Sequence, residues 1–250
     1  MKKYIAIVFK LFILLLVPLT TWSQDFDRNV VKLNLTGLLF NNYEIQYERA
    51  ISKSISLTLS GRLQPYGKIP AISTVEGLID DPEIVSEIEN FRLGNTVLTS
   101  ELRFYLGKHP GPRGFYIAPF ARLSNISAGY DEFLLEVESN DGNQNTKSID
   151  FKGDIRGLTG GLMLGSQWKL GKSVYLDWWI IGASFGSSSG LVEAISALSQ
   201  DEQDFIRQEL SDLEIPFLEY NVEVNNSGAK LNFNGPFATL RAGITLGIGF

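Results

Sequence analysis

The sequence predicts an all-β fold, an antiparallel up-and-down transmembrane β-barrel of about eight strands with long, partly helical extracellular loops. Two observations support this prediction. Apolar and polar residues alternate with a period of two in eight segments, and the connections between these segments are alternately short and long. A period of two places one residue set on each face of a strand. A soluble β-sandwich shows alternating residues, but it has no reason to show alternating connection lengths.

Tight turns follow the second, fourth and sixth predicted strands, and long insertions follow the third, fifth and seventh, at 65–92, 131–153 and 186–235. If both chain ends lie in the periplasm, these insertions are the extracellular loops. The short first connection, Phe40-Asn41, is the exception. The predicted strands are Asn29–Leu39, Asn42–Ile51, Ser54–Gln64, Leu93–Leu106, Gly114–Tyr130, Asp154–Leu170, Lys172–Phe185 and Pro236–Phe250.

The last predicted strand ends on an aromatic residue. From Leu240 to Phe250 apolar residues alternate with small or polar ones, so Phe250 closes the apolar face. This strand resembles the C-terminal signal that the bacterial barrel-assembly machinery recognises. The resemblance implies that Phe250 is an assembly signal, that this machinery is a partner during biogenesis, and that the protein lies in outer-membrane lipid.

The first 23 residues have the pattern of a cleaved signal peptide. Two lysines follow Met1, an apolar stretch runs from Leu11 to Leu19, and small residues precede a cut before Gln24. We therefore expect residues 1–23 to be removed and residues 24–250 to form the barrel. A retained membrane anchor is the alternative, although the apolar stretch is well short of the ~20 residues that a spanning helix needs.

Composition excludes several classes of site. The chain has no cysteine, which excludes a lipid-modified cysteine, disulfides and thiolate metal sites. Removing the signal peptide removes Lys2, Lys3 and Lys10 and no acid, which changes the formal net charge from −6 to −9. Nucleic acid is therefore not an expected partner.

Charged residues fall on the polar faces of the predicted strands, which should face the lumen. Side chains just fill the interior of an eight-stranded barrel, and a buried charge is tolerated when it is paired. We therefore expect a salt-bridged plug, with a narrow or gated ion path as the alternative. The predicted lumen charge network is Glu44, Glu48, Arg62, Glu101, Arg103, Arg122, Asp177 and Arg241, with Lys32 on the first strand.

The apolar faces of the same strands should contact lipid. Aromatic residues recur on these faces near the predicted turns and the chain end, as they do at membrane interfaces. A packed water-soluble core is the alternative for any one of them. The predicted outward aromatic residues are Phe104, Phe115, Trp168, Trp178 and Phe250.

Three segments, Val31–Leu35, Tyr43–Ala50 and Gly114–Arg122, resemble strands of the small OmpA-like barrels of Gram-negative outer membranes, in particular a group of unknown function. The resemblance covers nearly the whole mature chain in architecture. It implies the fold and the location, and it transfers no catalytic residues. The long connections before the fourth and eighth strands depart from the simplest members of the group.

Sites for chemistry are nearly absent from the sequence. The one histidine, His109, lies in a predicted periplasmic turn, whereas lipid-modifying barrels need their histidine near the outer leaflet. The stretch from Asp141 to Asn145 has oxygen ligands but lacks the glycine and glutamate of a calcium loop. We therefore expect no catalytic residues, no cofactor and no metal.

Two long connections contain apolar residues at helical spacing with acidic residues opposite. These stripes either pack together as a cap over the barrel or form a docking surface for another envelope protein. The first follows a helix start at Asp81-Pro82 and consists of Ile84, Ile88 and Phe91. The second contains Leu191, Ile195 and Leu198, a capping-box pattern at Ser199 and Glu202, and then Ile206, Leu210 and Leu213.

The sequence therefore favours a non-enzymatic outer-membrane β-barrel with a structural or interaction role, for example as an accessory subunit of a larger envelope complex. The alternative is a narrow pore for ions or small solutes, which would need a continuous wet path past the lumen charges. A lipid-modifying enzyme is a third class, and the position of His109 disfavours it.

Overall fold

The computed structural model describes residues 26–68, 90–138, 144–211 and 217–250. Within these ranges the chain forms nine strands and two helices. Neither helix has the length and hydropathy that crossing a membrane would require. In chain order the elements are β1 (Asn29–Asn34), α1 (Leu35–Leu38), β2 (Tyr43–Ala50), β3 (Ile55–Lys68), β4 (Phe91–Tyr105), β5 (Gly114–Glu138), β6 (Gln144–Lys169), β7 (Val174–Ile195), α2 (Gln200–Ser211), β8 (Glu219–Asn225) and β9 (Gly228–Gly249).

The sheet closes on itself. Each strand from β1 to β6 pairs antiparallel with the next, β7 pairs with β9, and β9 returns to pair with β1. The backbones of Asn29 and Phe250 exchange two hydrogen bonds, of 3.0 and 2.9 Å, at this closure. The predicted fold class, an antiparallel up-and-down barrel, is confirmed. The ninth strand, β8, pairs only with the first part of β9 and leaves an eight-stranded wall.

The hydrogen-bond register sets the tilt of the strands. Leu33 pairs directly with Leu246 on β9. Following the paired residues from Leu33 strand by strand around the wall leads instead to Pro236, which lies ten residues before Leu246 on β9. An eight-stranded barrel with this stagger has strands tilted by roughly 35–45° and an interior just wide enough for side chains. The register runs from Leu33 through Ile45, Gly61, Leu98, Leu123, Leu158 and Ser187 to Pro236.

The tight connections lie together at one end of the barrel, which we call the turn end. They join β2 to β3, β4 to β5 and β6 to β7, and residues 26–28 and Phe250 lie beside them. In the turn after β4, Gly111 has φ of 91°, and a Cβ at this position would lie 2.8 Å from the ring of Phe26. Glycine is therefore required there by both backbone conformation and space. The opposite end is called the far end.

The strands are longer at the far end than the sequence predicts. Most described residues of the predicted loops 65–92, 131–153 and 186–235 are strand, because β5, β6, β7 and β9 all continue into them. Phe91, expected on a loop helix, begins β4, and Leu191 and Ile195 belong to β7. The first strand, in contrast, ends at Asn34 and not Leu39, because the Asn34 side chain accepts a hydrogen bond from Gly37 N and caps α1.

Partway along the strands, the outer face of the wall changes from apolar to polar residues. On β6 the outward residues Leu158, Leu162 and Leu164 are exposed and apolar, whereas the outward residues farther on, Arg156 and Asp154, are charged. Neighbouring strands change at the same register, for example between Leu123 and Asn125 on β5. We call the exposed apolar zone between this change and the turn end the apolar band. The strand residues between this change and the far end are called the extension.

Candidate functional site: the lumen

All predicted lumen residues lie on the inward face, and they differ in burial. Arg122 is 3% exposed and Arg241 is 6% exposed, whereas Arg62 is only partly buried. The remaining charged residues of the lumen are fully buried or nearly so: Lys32, Glu44, Glu48, Glu101, Arg103 and Asp177. The alternation of residues along the strands thus places charges inside the wall, where the register must supply their partners.

Asp177 is the centre of the first group of ion pairs. Its carboxylate lies 2.7 Å from Arg103 Nη1 and 2.8 Å from Lys32 Nζ. It also accepts hydrogen bonds from the hydroxyl of Tyr116 at 2.8 Å and from the indole N–H of Trp179 at 3.0 Å. These donors come from four strands, β1, β4, β5 and β7, so a single carboxylate ties opposite sides of the wall together.

Glu48, Glu101 and Glu44 extend the network across the remaining strands. Glu48 lies 2.5 Å from Lys32 Nζ, and it accepts a hydrogen bond from the hydroxyl of Tyr105 at 2.6 Å. Glu101 pairs with Arg103 Nη2 at 2.8 Å and with Arg241 Nη1. Arg241 Nη2 also lies 3.2 Å from Glu44. Charge-assisted pairs of this kind, each with further hydrogen bonds, compensate the loss of hydration on burial.

Aromatic and apolar side chains fill the rest of this cross-section. Tyr105, Tyr116, Phe120, Met163 and Trp179 form one buried cluster with Ala118. The guanidinium of Arg241 lies 3.8 Å from the centre of the Trp179 ring, and that of Arg103 lies 4.3 Å from the centre of the Tyr116 ring. Such cation–π contacts stabilise a desolvated guanidinium. Together this cluster and the seven ion-paired residues form what we call the plug.

Arg62 and Arg122 differ from the charges of the plug. Nε and Nη2 of Arg122 and Nε of Arg62 are buried without any hydrogen-bond partner, and neither side chain forms an ion pair with a described residue. The expectation that every inward charge is paired therefore fails at these two positions. The sequence pattern places a residue on a face, but it does not show whether a carboxylate of the neighbouring strand reaches it.

On the far side of the plug the lumen holds apolar inward residues beside polar ones such as Ser124 and Ser188. Five apolar residues line this space, Ile126, Phe151, Ile155, Phe233 and Phe237, and all are partly exposed. We call the space the cup. One edge of the Phe237 ring and one edge of the Phe233 ring lie 2.6 Å from where Cβ atoms of Gly157 and Gly190 would stand, so these glycines make room for the rings. The apolar residues of the cup are thus partly exposed, whereas those of the plug are buried.

The outward aromatic residues follow the prediction in position. All five, Phe104, Phe115, Trp168, Trp178 and Phe250, are between 38% and 66% exposed, and they lie near the turn end. The indole rings of Trp168 and Trp178 stack with centres 6.5 Å apart. The aromatic residues thus form a belt on the outer surface, which is the usual position of aromatic residues at one border of a membrane.

The predicted docking residues are divided among different environments. Ile84, Ile88 and Leu213 lie outside the described residues. The capping box is present at the start of α2, where Ser199 N donates to Glu202 at 2.7 Å and Glu202 N donates to Ser199 Oγ at 3.4 Å. Ile206 and Leu210 are partly buried on α2, and Arg207 donates to the carbonyl of Val224 on β8 at 3.2 Å. This helix therefore packs on the edge of the extension.

An open groove of about 850 Å³ lies on the outer surface at the level where polarity changes. Its walls come from β5, β6, β7 and β9, together with Phe217 and Glu219. Apolar side chains such as Leu158 line it on the band side, and polar ones such as Arg156 line it on the side of the extension. The groove thus has an apolar and a polar half at the border of the band.

Residues for catalysis do not converge in the described structure. His109 is exposed in the turn between β4 and β5, at the turn end of the barrel. Among the described side chains, no group of three or more histidine, cysteine or carboxylate residues could hold a metal ion. The convergent polar groups of the described chain are those of the plug, and ion pairs already occupy them.

No protein-family model matches the chain, and no curated protein is similar to it in sequence. Solved structures show weak similarity to the chain. The crystal structure of CarO from Acinetobacter baumannii matches with a TM-score of 0.37 and 10% identity, covering 92% of this chain and 100% of that chain. A major outer membrane protein from Thermus thermophilus matches with a TM-score of 0.37 and 11% identity, covering 84% of this chain and 98% of that chain.

Proposed function

We propose that the protein is a non-enzymatic outer-membrane β-barrel with a sealed lumen, which anchors the extension outside the cell as a structural or interaction module. The plug is the observation that carries this proposal. It closes the lumen with seven charged side chains that already bind one another. The finer assignment, an OmpA-like barrel that serves as an accessory subunit of an envelope complex, is part of the same proposal.

The apolar band supports the membrane location. On β9 the outward side chains from Ala238 to Ile248 are apolar, which is a span of eleven residues. A tilted transmembrane strand needs about 9–11 residues. The belt of aromatic residues marks the border at the turn end, and the tight turns there are typical of the periplasmic side. The extension then lies on the extracellular side.

The plug argues against the alternative of a pore. Ions need a continuous wet path, whereas the side chains of Lys32, Glu48, Arg103 and Asp177 have no exposed surface. Opening a path would separate buried pairs, and leaving one buried partner without the other costs about 3–5 kcal/mol. Several pairs would have to separate together, so a conducting state should be rare.

The extension has the surface of a water-soluble sheet. On β8 the outward residues Glu219, Asn221, Glu223 and Asn225 are polar and exposed, and the inward ones are partly buried. Lys230 on β9 lies 2.5 Å from Glu193 on β7, and its hydrogen bond and attraction to Glu193 raise the pKa of Lys230. Phe205 on α2 and Phe217 before β8 are 64% and 88% exposed on this polar surface. These two aromatic residues are our candidates for contact with another envelope protein.

The sealed lumen can be tested by electrical recording. We expect the purified barrel in a planar lipid bilayer to give no steady conductance above the bare bilayer. The control is gel electrophoresis of the same sample in SDS, in which the unboiled, folded protein should migrate differently from the boiled protein. A large, steady conductance from folded protein would favour the pore and overturn the sealed lumen.

The interaction role can be tested by cross-linking in intact cells. We expect a cross-linked envelope protein with the unmodified chain and loss of that product in the double variant Phe205→Glu with Phe217→Glu. The control is Lys172→Glu, which changes the charge of an exposed residue at the turn end and should keep the product. If the unmodified chain gives no cross-linked protein, the interaction role fails and the barrel is structural.

A further inference from the structure

The plug and the floor of the cup together carry one positive charge in excess of their carboxylates. The plug contains three cations, Lys32, Arg103 and Arg241, and four carboxylates, Glu44, Glu48, Glu101 and Asp177. Arg62 and Arg122 bring two further positive charges without an ion pair among the described residues. Arg241 repels both of them, and Glu44 attracts both, so the three guanidinium groups share the nearby carboxylates where the plug ends.

The nearest carboxylates are already occupied. Glu44 accepts hydrogen bonds from Asn34 at 3.1 Å and Ser60 at 2.9 Å, in addition to its pair with Arg241. Glu101 binds Arg103 and Arg241 and also accepts from Gln46 at 3.4 Å. Both carboxylates attract Arg122, but neither forms an ion pair with it. A buried charged donor without a partner is costly, and such a group calls for a ligand or a specific function.

The walls above these arginines are suited to an apolar chain. On β5 the inward residues run from Arg122 through Ser124 to Ile126, so the charged floor passes directly into the apolar wall. Phe237 and Phe233 fit against Gly157 and Gly190, which have no side chain, and both rings are partly exposed. Most small-molecule sites combine apolar walls with a few polar groups that orient the ligand.

We propose that the cup binds an amphipathic anion, a molecule with one apolar chain that ends in a carboxylate or phosphate. Arg122 and Arg62 bind the anionic group, since guanidinium groups match both acids with paired hydrogen bonds. The aromatic wall of the cup holds the chain. A small inorganic anion would leave the apolar wall in water, and a neutral apolar molecule would leave the guanidinium groups unpaired. This site goes beyond the proposed anchoring role and requires only that the barrel is folded.

The probe for this proposal is octanoate, because it is amphipathic and stays monomeric at millimolar concentration. The full barrel is placed in nanodiscs, binding is measured by calorimetry, and empty nanodiscs give the correction for partition into lipid. We expect saturable binding of octanoate and at least tenfold weaker binding of acetate and of octanol. Arg122→Gln should weaken octanoate about tenfold or more, which is the effect of losing hydrogen bonds to a charged group.

The matched control is Arg156→Gln, because Arg156 is an arginine on the neighbouring strand that points outward. Its octanoate affinity should equal that of the unmodified barrel. A second variant, Gly157→Leu, should push the Phe237 ring into the cup and weaken octanoate without strengthening acetate. A difference in mobility between unboiled and boiled samples shows that each variant is folded.

Three results would overturn the proposal. Equal affinity for octanoate and acetate would show a small-anion site only. Equal affinity for octanoate and octanol, with no effect of Arg122→Gln, would show an apolar surface without a role for the arginines. Binding no stronger than that of empty nanodiscs would show that the cup has no such ligand.

Discussion

At the scale of single residues, the value of a buried charge depends on its partners more than on its burial. Arg103 and Arg122 are 0% and 3% exposed, and both point into the lumen. Arg103 contacts Glu101 at 2.8 Å, Asp177 at 2.7 Å and the Tyr116 ring. Arg122 has buried nitrogen atoms without a partner. The same side chain is therefore stabilising at one position and costly at the other.

Replacing each arginine by methionine should separate these two cases. Arg103→Met leaves Asp177 and Glu101 buried with fewer partners, and we expect it to lower the free energy of unfolding by about 3–5 kcal/mol. Arg122→Met removes an unpaired charge and keeps the apolar stem, so we expect no loss or a gain in stability. Urea unfolding of the two variants in lipid vesicles measures both. Equal losses at the two positions would show that Arg122 is paired in the folded barrel.

At the scale of elements, the sequence predicts the strands of the apolar band well and their continuations poorly. The outward apolar residues Leu240 and Ile244 occupy even positions on β9, whereas Phe233 and Phe237 are inward at odd positions. Apolar residues still recur at every second position, but at the edge of the band they change from even to odd positions and therefore from the outer face to the inner face. A search for one continuous apolar face therefore stops near Pro236. Likewise, Leu191 and Ile195 are four residues apart, a spacing that fits both a helix face and a strand face.

The candidate site was also predictable only in part. Alternation places Glu48 and Asp177 on the inward face, and the sequence analysis assigns both to the lumen. Glu48 reaches Lys32 across the direct pairing of β1 with β2, whereas Asp177 reaches it only because the ten-residue stagger between β1 and β9 brings β1 beside the closing strands. No local pattern encodes that stagger. The sequence does not predict the cup, because two of its wall residues, Phe151 and Phe233, lie in segments that the connection lengths assign to loops.

Two arginine substitutions on β6 test the edge of the apolar band. Leu162 and Ser148 are both exposed on the outward face, one inside the band and one in the extension. Leu162→Arg places a charge in lipid, and we expect a loss of about 2–4 kcal/mol, as for cationic residues near the bilayer midplane. Ser148→Arg should be neutral, because its side chain faces water. Folding into lipid vesicles, followed by heat-dependent mobility, measures both. Equal tolerance of the two variants would remove the assigned border.

At the scale of the whole molecule, the two ends of the barrel differ from each other. Tight turns and the aromatic belt lie at one end, and the extension with its polar outer face and α2 lies at the other. Short periplasmic turns and longer extracellular segments are general in outer-membrane barrels. The plug blocks the lumen between the two ends, so a reagent that cannot cross lipid should reach only one of them in an intact cell.

The absence of cysteine from the chain makes this orientation directly measurable. Asn221→Cys places a thiol on the exposed outward face of β8, and Lys172→Cys places one in the exposed turn between β6 and β7. We expect a membrane-impermeant maleimide to label Asn221→Cys in intact cells and to label Lys172→Cys only after the outer membrane is disrupted. Both thiols should react in purified protein, which controls for accessibility. Labelling of Lys172→Cys alone in intact cells would reverse the orientation and place the extension and the cup in the periplasm.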